Sequence, residues 1–178
     1  PYCSAKKVKL FSHYVSRDAM NIDGLGVKRV ELFHAQGWLN TVEDIYNLKR
    51  HYQEILQTPK MGKKSADNLL EAIENSKQNS LEKLLYGLGI RQSGEKAAKI
   101  LAYRFETMQT LMNATYEELE EIKDIGAITA QTVLDFFHDE ANQHLIEALI
   151  EHGLNMICLK EEQVETMFTG KTVVLTGT

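Results

Sequence analysis

Residues 84–102 read LLYGLGIRQSGEKAAKILA, an apolar segment followed by a short polar turn that closes on Gly94 and by a second segment with apolar residues at helical spacing. Three other places in the chain repeat this arrangement, with the turns IDGLG (22–26), TPKMG (58–62) and IKDIG (122–126). The closing glycines are 36, 32 and 32 residues apart, at Gly26, Gly62, Gly94 and Gly126. A repeat at a nearly fixed period indicates one structural unit used several times. We therefore predict four tandem units, each made of a helix, a tight turn and a second helix.

The second segment of each unit carries one apolar face. Counted from the closing glycine, positions +4, +7, +8 and +11 hold Ala66, Leu69, Leu70 and Ile73, then Ala98, Leu101, Ala102 and Phe105, then Ala130, Val133, Leu134 and Phe137. This spacing is typical of an amphipathic α-helix. The first unit has Val30, Phe33, His34 and Gly37, so we expect its helix to stop near Gly37. A small residue at +4 would let the two helices of a unit pack closely.

The composition favours a mainly α-helical protein with a short β segment at the C-terminus. The chain has 178 residues, 43% of them hydrophobic, which is enough for one or two domains of roughly 100 residues. It has only two prolines, which favours helix. It has no apolar run of the roughly 18 residues that a membrane helix needs, and its N-terminus does not resemble a signal peptide. We therefore expect a soluble, cytoplasmic protein with no membrane partner.

The net charge of −5 conceals an asymmetry along the chain. Residues 1–111 hold 17 Lys and Arg against 12 Asp and Glu, a net charge of +5, whereas residues 112–178 hold 3 against 13, a net charge of −10. A polyanionic ligand would therefore bind to the first part of the chain.

A glycine turn followed by a helix is suited to binding phosphate. Glycine tolerates positive φ and close approach of a ligand, and the next helix offers unbonded backbone amides with about half a positive charge. Phosphate repeats along the backbone of DNA. Backbone amides would recognise this phosphate and not the bases, so DNA binding should be independent of the base sequence and sensitive to salt. The residues predicted to contact DNA are Gly24, Gly26, Lys28, Arg29, Lys60, Gly62, Lys63, Lys64, Arg91, Gly94, Lys96, Lys99 and Gly126.

The fourth turn is predicted to be the weakest of these sites. Its one flanking cation is Lys123, whereas Asp124 and the acidic run at 117–121 would repel phosphate. Packing alone explains most single glycine turns, but four in register favour a shared role in binding.

Three segments carry a resemblance to a known family: SRDAMNIDGLG (16–26), LLYGLGIRQSGEKAAKILA (84–102) and FTGKTVVLTGT (168–178). They resemble the C-terminal half of the bacterial NAD-dependent DNA ligases, and the resemblance extends over essentially the whole chain. It implies that residues 1–18 are the exit of a truncated zinc finger, with Cys3 as the last of four zinc ligands, and that 19–157 form a helix-hairpin-helix domain. It also implies a linker at 158–167 and the first strand of a truncated BRCT domain at 168–178.

The resemblance further implies a role in sealing nicks during DNA replication and repair. Members of the family form a lysine-AMP intermediate from NAD at a KxDG motif, and no such motif occurs here. This chain is therefore expected to have no catalytic residue and to be inactive alone, with NAD, Mg and Zn needed by the parent ligase. Its expected partners are nicked double-stranded DNA and the upstream catalytic domains. The family has glycine where this chain has Lys60 and Gln92, so we expect fewer close backbone contacts at those turns.

Two other functions remain open. Some base-flipping glycosylases have a catalytic Asp about twenty residues beyond one such turn, and Asp44 lies 18 residues after Gly26. Fourfold repetition without a Lys and Asp pair around one pocket counts against that function. Alternatively, the turns could serve only packing in a protein-interaction module, with the acidic tail or the strand at 172–176 as the docking surface.

Overall fold

Helices make up most of the part of the chain that the computed structural model describes, residues 2–159, with side chains from residue 4 onward. In chain order they are α1 (Tyr2–Tyr14), α2 (Val27–Ala35), a 3-10 helix (Val42–His51), α3 (Tyr52–Leu56), α4 (Lys63–Ser76), α5 (Leu81–Gly87), α6 (Glu95–Phe105), α7 (Met108–Met112), α8 (Tyr116–Glu120), α9 (Ala127–His138) and α10 (Glu140–Glu151). The prediction of a mainly α-helical protein is confirmed. The strand predicted within 168–178 and most of the predicted linker lie outside the described residues.

Each predicted turn lies between two helices. We call residues 22–26, 58–62, 90–94 and 122–126 turns 1 to 4; the helices that follow them are α2, α4, α6 and α9. In turns 2, 3 and 4 the amide of the fourth residue donates to the carbonyl of the first, at 3.3 Å in turn 2 and 3.1 Å in turns 3 and 4. The helices on either side of a turn pack against each other, as α5 and α6 do around turn 3.

The apolar face predicted for these helices is buried. The residues at +4 and +7 have at most 1% of their surface exposed in all four helices: Val30, Phe33, Ala66, Leu69, Ala98, Leu101, Ala130 and Val133. Helix α2 ends at Ala35, and Gly37 follows with a φ of +83°, so the predicted early stop is confirmed. Close packing around each turn therefore depends on a small or β-branched residue at +4.

Helix α1 belongs to the same hydrophobic core as the four turns. Phe11 and Tyr14 are fully buried, and the Tyr14 hydroxyl lies 2.6 Å from that of Tyr46, which lies 3.3 Å from the hydroxyl of Ser76. Burial raises the pKa of both tyrosines, so the network stays neutral. Helix α1 and the turns thus share one core, and the boundary expected at residue 18 and the zinc-finger origin of residues 1–18 stay predictions.

The chain returns to the middle of the structure after α10. The amide of Asn155 donates to the carbonyl of Lys77 at 2.8 Å, and the carbonyl of Ile157 accepts from the amide of Leu81 at 3.1 Å. On the other side, the amide of Cys158 donates to the carbonyl of Glu106 at 2.8 Å. Residues 155–159, which we call the C-terminal strap, thus join the α4–α5 connection to the α6–α7 connection. No helix in residues 2–159 is long and apolar enough to cross a membrane.

The buried alanine at +4 generates a test of the packing. Ala98 has no exposed surface, so Ala98→Leu should lower the free energy of unfolding by about 1–3 kcal/mol through overpacking. Ala35→Leu, at the exposed end of α2, should change it by less than about 0.5 kcal/mol. Urea denaturation of both variants measures the difference. Equal stability of the two variants would contradict close packing at +4.

Candidate nucleic-acid interface

The four closing glycines occupy the same position, directly before the first residue of a helix. Gly26, Gly62, Gly94 and Gly126 have φ between −75° and −88° and extended ψ. The tolerance of glycine for positive φ is therefore not used at these four positions, because any residue can adopt this conformation. Positive φ falls two residues earlier, on Gly24, Lys60, Gln92 and Asp124. These residues are the third residue of each turn, the position at which a type II turn requires positive φ.

The side chains of Lys60 and Gln92 do not disturb the turns. Their φ values are both +61°, in the same region as the +96° of Gly24, so the backbone conformation that glycine would favour is kept. Holding an ordinary residue in this region costs about 1–3 kcal/mol, which the surrounding packing must supply. The number of backbone contacts that these two turns make with a ligand stays a prediction.

The closing glycines leave space at the start of each helix. A Cβ atom built on any of the four would meet no protein atom within 4 Å. Neither backbone conformation nor packing within the described residues therefore requires glycine at these positions. Their shared property is an open approach to the helix N-terminus, which suits a ligand that contacts the backbone closely.

The helix amides at these sites are not capped by side chains. In each helix the first backbone hydrogen bond runs from the amide at +4 to the glycine carbonyl, at 2.9–3.0 Å, and leaves the amides at +1 to +3 without a helical acceptor. No side-chain cap accepts from them. Helices α7, α8 and α10, by contrast, are capped by Thr107, Thr115 and Asp139. Helices α3 and α5 also begin without a side-chain cap, so a missing cap does not by itself distinguish the glycine turns. At the glycine turns the uncapped amides coincide with the open space in front of the helix and provide donors for an anion.

A lysine stands at position +2 beside three of the turns. Lys28, Lys64 and Lys96 are exposed and share this register, whereas turn 4 has Ile128, which is 71% exposed. Aligning the turns on the closing glycine, rather than noting basic residues near each, would have revealed the register from sequence. The alignment agrees with the expectation that turn 4 attracts phosphate least.

The other predicted cations differ in their surroundings. Lys60 and Arg91 are exposed, and the Lys99 ammonium lies 5.6 Å from the centre of the Tyr103 ring. Lys63 donates to Asp67 at 2.9 Å, a hydrogen bond that raises the pKa of Lys63. Hydrogen bonds from Tyr52 and Lys63 lower the pKa of Asp67. A phosphate at Lys63 would therefore compete with this carboxylate.

Arg29 connects turns 1 and 2. Its guanidinium donates to the carbonyl of Gly24 at 2.8 Å and to that of Lys60 at 3.4 Å. Both carbonyls belong to positive-φ residues, so the planar fork of one arginine fixes the two turns relative to each other. The sequence placed Arg29 among the DNA contacts; the structure gives its side chain these two protein partners.

Turns 3 and 4 are connected in a similar way. The hydroxyl of Thr129 donates to the carbonyl of Gln92 at 3.2 Å, and that of Thr132 to the carbonyl of Arg91 at 2.8 Å. Thr129 stands at +3 of its turn, as Arg29 does, and its acceptor again belongs to the positive-φ residue of the neighbouring turn. The turns are thus held in two pairs. Sequence reasoning missed this pairing, because position +3 is chemically different in the two cases.

The residues considered for other chemistry are placed as follows. The carboxylate of Asp44 accepts from the amides of Asn40 and Thr41, at 2.8 and 3.0 Å, so it caps the 3-10 helix. The described residues contain no group of three or more His, Cys, Asp and Glu that could hold a metal ion. Cys3 would supply one of the four ligands that tetrahedral zinc needs, and its side chain lies outside the described atoms.

Family models assign the class of fold. A model described as the helix-hairpin-helix motif matches residues 83–146, which contain turns 3 and 4. A model described as the SAM-like helix-hairpin-helix tandem matches residues 16–75, which contain turns 1 and 2. The two matches follow the same division as the hydrogen-bonded pairs of turns. Residues 16–75 and 83–146 therefore contain helix-hairpin-helix motifs.

Curated relatives narrow this assignment and confirm the resemblance seen in the sequence. The chain is 46% identical to a DNA ligase from Bacillus cereus (strain AH187) and 47% identical to DNA ligases from Bacillus thuringiensis (strain Al Hakam) and Bacillus anthracis (strain A0248). Each match covers 99% of this chain and 27% of the relative. The chain is therefore homologous to a segment of about a quarter of the length of these DNA ligases.

Because the space at the closing glycines is open, we expect substitutions there to weaken DNA binding with little change in the free energy of unfolding. Gly62→Ala and Gly94→Ala should change the free energy of unfolding by less than about 1 kcal/mol, because φ is ordinary and nothing is displaced. Both should weaken DNA binding by about tenfold, because the new methyl group occupies the approach to the amides. Thermal unfolding and fluorescence anisotropy measure the two effects.

Two glycines in this set provide matched controls. Gly126→Ala makes the same change in the same conformation beside acidic residues, so DNA binding should change little. Gly24→Ala forces an alanine to φ +96° and should destabilise the protein by about 1–3 kcal/mol. Unchanged DNA binding in the Gly62 and Gly94 variants would show that the open space is not used by DNA.

The bridge made by Arg29 predicts that charge alone cannot replace it. Arg29→Lys keeps the charge but lacks the planar fork, so it should lower the free energy of unfolding by about 1–2 kcal/mol, nearly as much as Arg29→Ala. Lys28→Ala, at the exposed neighbouring position, should change it by less than about 0.5 kcal/mol. Urea denaturation distinguishes these cases. Wild-type stability of Arg29→Lys would mean that the bridge does not hold the turns.

Proposed function

We propose that this chain binds double-stranded DNA through its phosphate backbone, independently of base sequence, as the DNA-clamping part of a DNA ligase. The observation that carries the proposal is the set of uncapped helix N-termini behind open glycines, three of them with an exposed lysine at +2. Backbone amides and lysines recognise phosphate geometry and charge but not base edges. The similarity to DNA ligases supports nucleic acid as the source of the phosphate.

The four turns would not contribute equally. We infer that the chain contains four helix-hairpin-helix units in two pairs, and that turns 1, 2 and 3 contact phosphate. Turn 4 would support turn 3 through Thr129 and Thr132, because its surroundings are acidic and Ile128 replaces the lysine. Since Arg29 fixes turns 1 and 2 relative to each other, these two turns could bind two phosphates without being reordered, which limits the entropic cost of binding.

In the whole ligase this segment would position DNA rather than react with it. It would help to encircle nicked duplex and hold it in front of the catalytic domain, and precise positioning accounts for a large part of catalysis in reactions between bound partners. We expect NAD-dependent sealing of nicks in replication and repair, with NAD and Mg used by the catalytic part and Zn bound through Cys3 and three further cysteines. The chain alone would not seal nicks, because it has no KxDG motif. The residues at 168–178 would begin a BRCT domain.

The test is binding of a fluorescent nicked duplex measured by anisotropy between about 50 and 200 mM salt. The chain should bind, and the logarithm of its affinity should fall linearly with the logarithm of salt concentration. Replacing Lys64 and Lys96 together by Ala should weaken binding and reduce the slope by about 1.8, since each phosphate contact contributes about 0.9. Changing the base sequence of the duplex should have no effect.

A second double variant controls for charge. Arg50→Ala with Arg104→Ala removes two exposed cations that are not next to a turn in sequence. Arg104 lies at the opposite end of α6 from Lys96, and this double variant should leave the slope nearly unchanged. Absence of binding even at low salt would contradict the proposal and favour the alternative of a helical protein-interaction module. Equal losses in the two double variants would mean nonspecific attraction by net charge.

A further inference from the structure

A basic groove separates α1 from turn 3. Four residues of α1 line one side at the spacing of a single helix face: Lys6, Lys9, Leu10 and His13. Tyr86, Gly89, Ile90, Arg91 and Ser93 line the other side. The groove has a volume of about 770 Å³, and the described residues that line it include three cations and no carboxylate. Its charge therefore favours an anionic ligand.

Ser93 gives the groove an unexplained polar group. It is the fourth residue of turn 3, and the corresponding residues of the other turns are the buried apolar residues Leu25, Met61 and Ile125. Ser93 is only 7% exposed, and its hydroxyl has no hydrogen-bond partner among the described residues. A buried hydroxyl without a partner destabilises a fold, so a serine at an apolar register position calls for a partner from outside the protein.

The walls of the groove are already fixed. Nε2 of His13 donates to the carbonyl of Tyr86 at 2.6 Å, and the two rings meet edge to face with their centres 4.6 Å apart. Gly89 has a φ of +69°, and a Cβ atom there would lie 3.5 Å from Cδ1 of Leu10. These contacts hold α1 against the connection between α5 and turn 3, so a ligand would enter a preformed site.

We propose that this groove binds a backbone phosphate of DNA, next to the phosphate that turn 3 contacts. Lys6, Lys9 and Arg91 provide the positive charge, and the Ser93 hydroxyl, after rotating about its side-chain bond, donates to a phosphate oxygen. Because α1 leads along the chain into turn 1 while one of its faces lines turn 3, the groove connects the two pairs of turns. The inference rests on the proposed function, since it extends the same phosphate contacts to a further site.

The experiment is the anisotropy titration of nicked duplex, now with variants of the groove. Lys6→Ala with Lys9→Ala should reduce the salt slope by about 1.8, whereas Lys7→Ala, which removes an exposed charge of α1 outside the groove, should leave it unchanged. Ser93→Ala should weaken binding by about tenfold and raise the midpoint of thermal unfolding, because it removes both a donor to phosphate and an unpaired buried hydroxyl. A serine with a purely structural role would not give these opposite effects.

The outcomes separate this inference from the proposed function. If the groove variants bind like the wild type while the Lys64 and Lys96 variant loses affinity, the groove is not a phosphate site, whereas the turns still are phosphate sites. If the groove variants lose affinity and the turn variant does not, the groove is a site and the turns are not. If the wild-type chain binds no duplex at low salt, both are overturned. A lower unfolding midpoint for Ser93→Ala would overturn the assigned role of its hydroxyl.

Discussion

The four helices that follow the glycine turns begin with backbone amides that have no acceptor among the described residues. Elsewhere in the described chain, threonine and aspartate caps show that side chains are available for this purpose. At the glycine turns the cap is missing and the space in front of it is open. A helix end of this kind carries a partial positive charge in contact with water, so its free energy can be lowered by any anion that reaches it.

If the helix N-termini stay uncapped, other interactions must fix the positions of the turns. Hydrogen bonds to the carbonyl groups of the turns have that role. The positive-φ residue of a turn directs its carbonyl toward the neighbouring turn, where Arg29 or Thr129 donates to it. The amides thus stay available on one side of the turn while its carbonyl supports the pairing. Turn 4 contributes to this pairing despite its acidic surroundings, since Thr129 and Thr132 of the helix that follows it donate to carbonyls of turn 3.

Sequence patterns predicted the elements that depend on local spacing. The turns, the helices after them and the buried residues at +4 and +7 follow from a periodicity that a helix imposes over a few residues. The patterns failed where the cause is conformational or distant in sequence. Positive φ falls on Gln92, whose side chain carries no signal for it. The hydrogen bond from Arg29 to Lys60 joins residues about 30 positions apart, and the groove brings α1 beside turn 3, about 80 positions away. Local sequence patterns do not report on contacts at these separations.

The C-terminal strap has a mechanical consequence. Its backbone is hydrogen-bonded on one side to the α4–α5 connection and on the other to the α6–α7 connection, so it is held between the two halves of the repeat. Tension applied to the chain beyond residue 159 would load these bonds before it reached α10. A movement of whatever the strap is attached to would therefore be transmitted to both pairs of turns at once, as a displacement of the whole body rather than as fraying of its last helix.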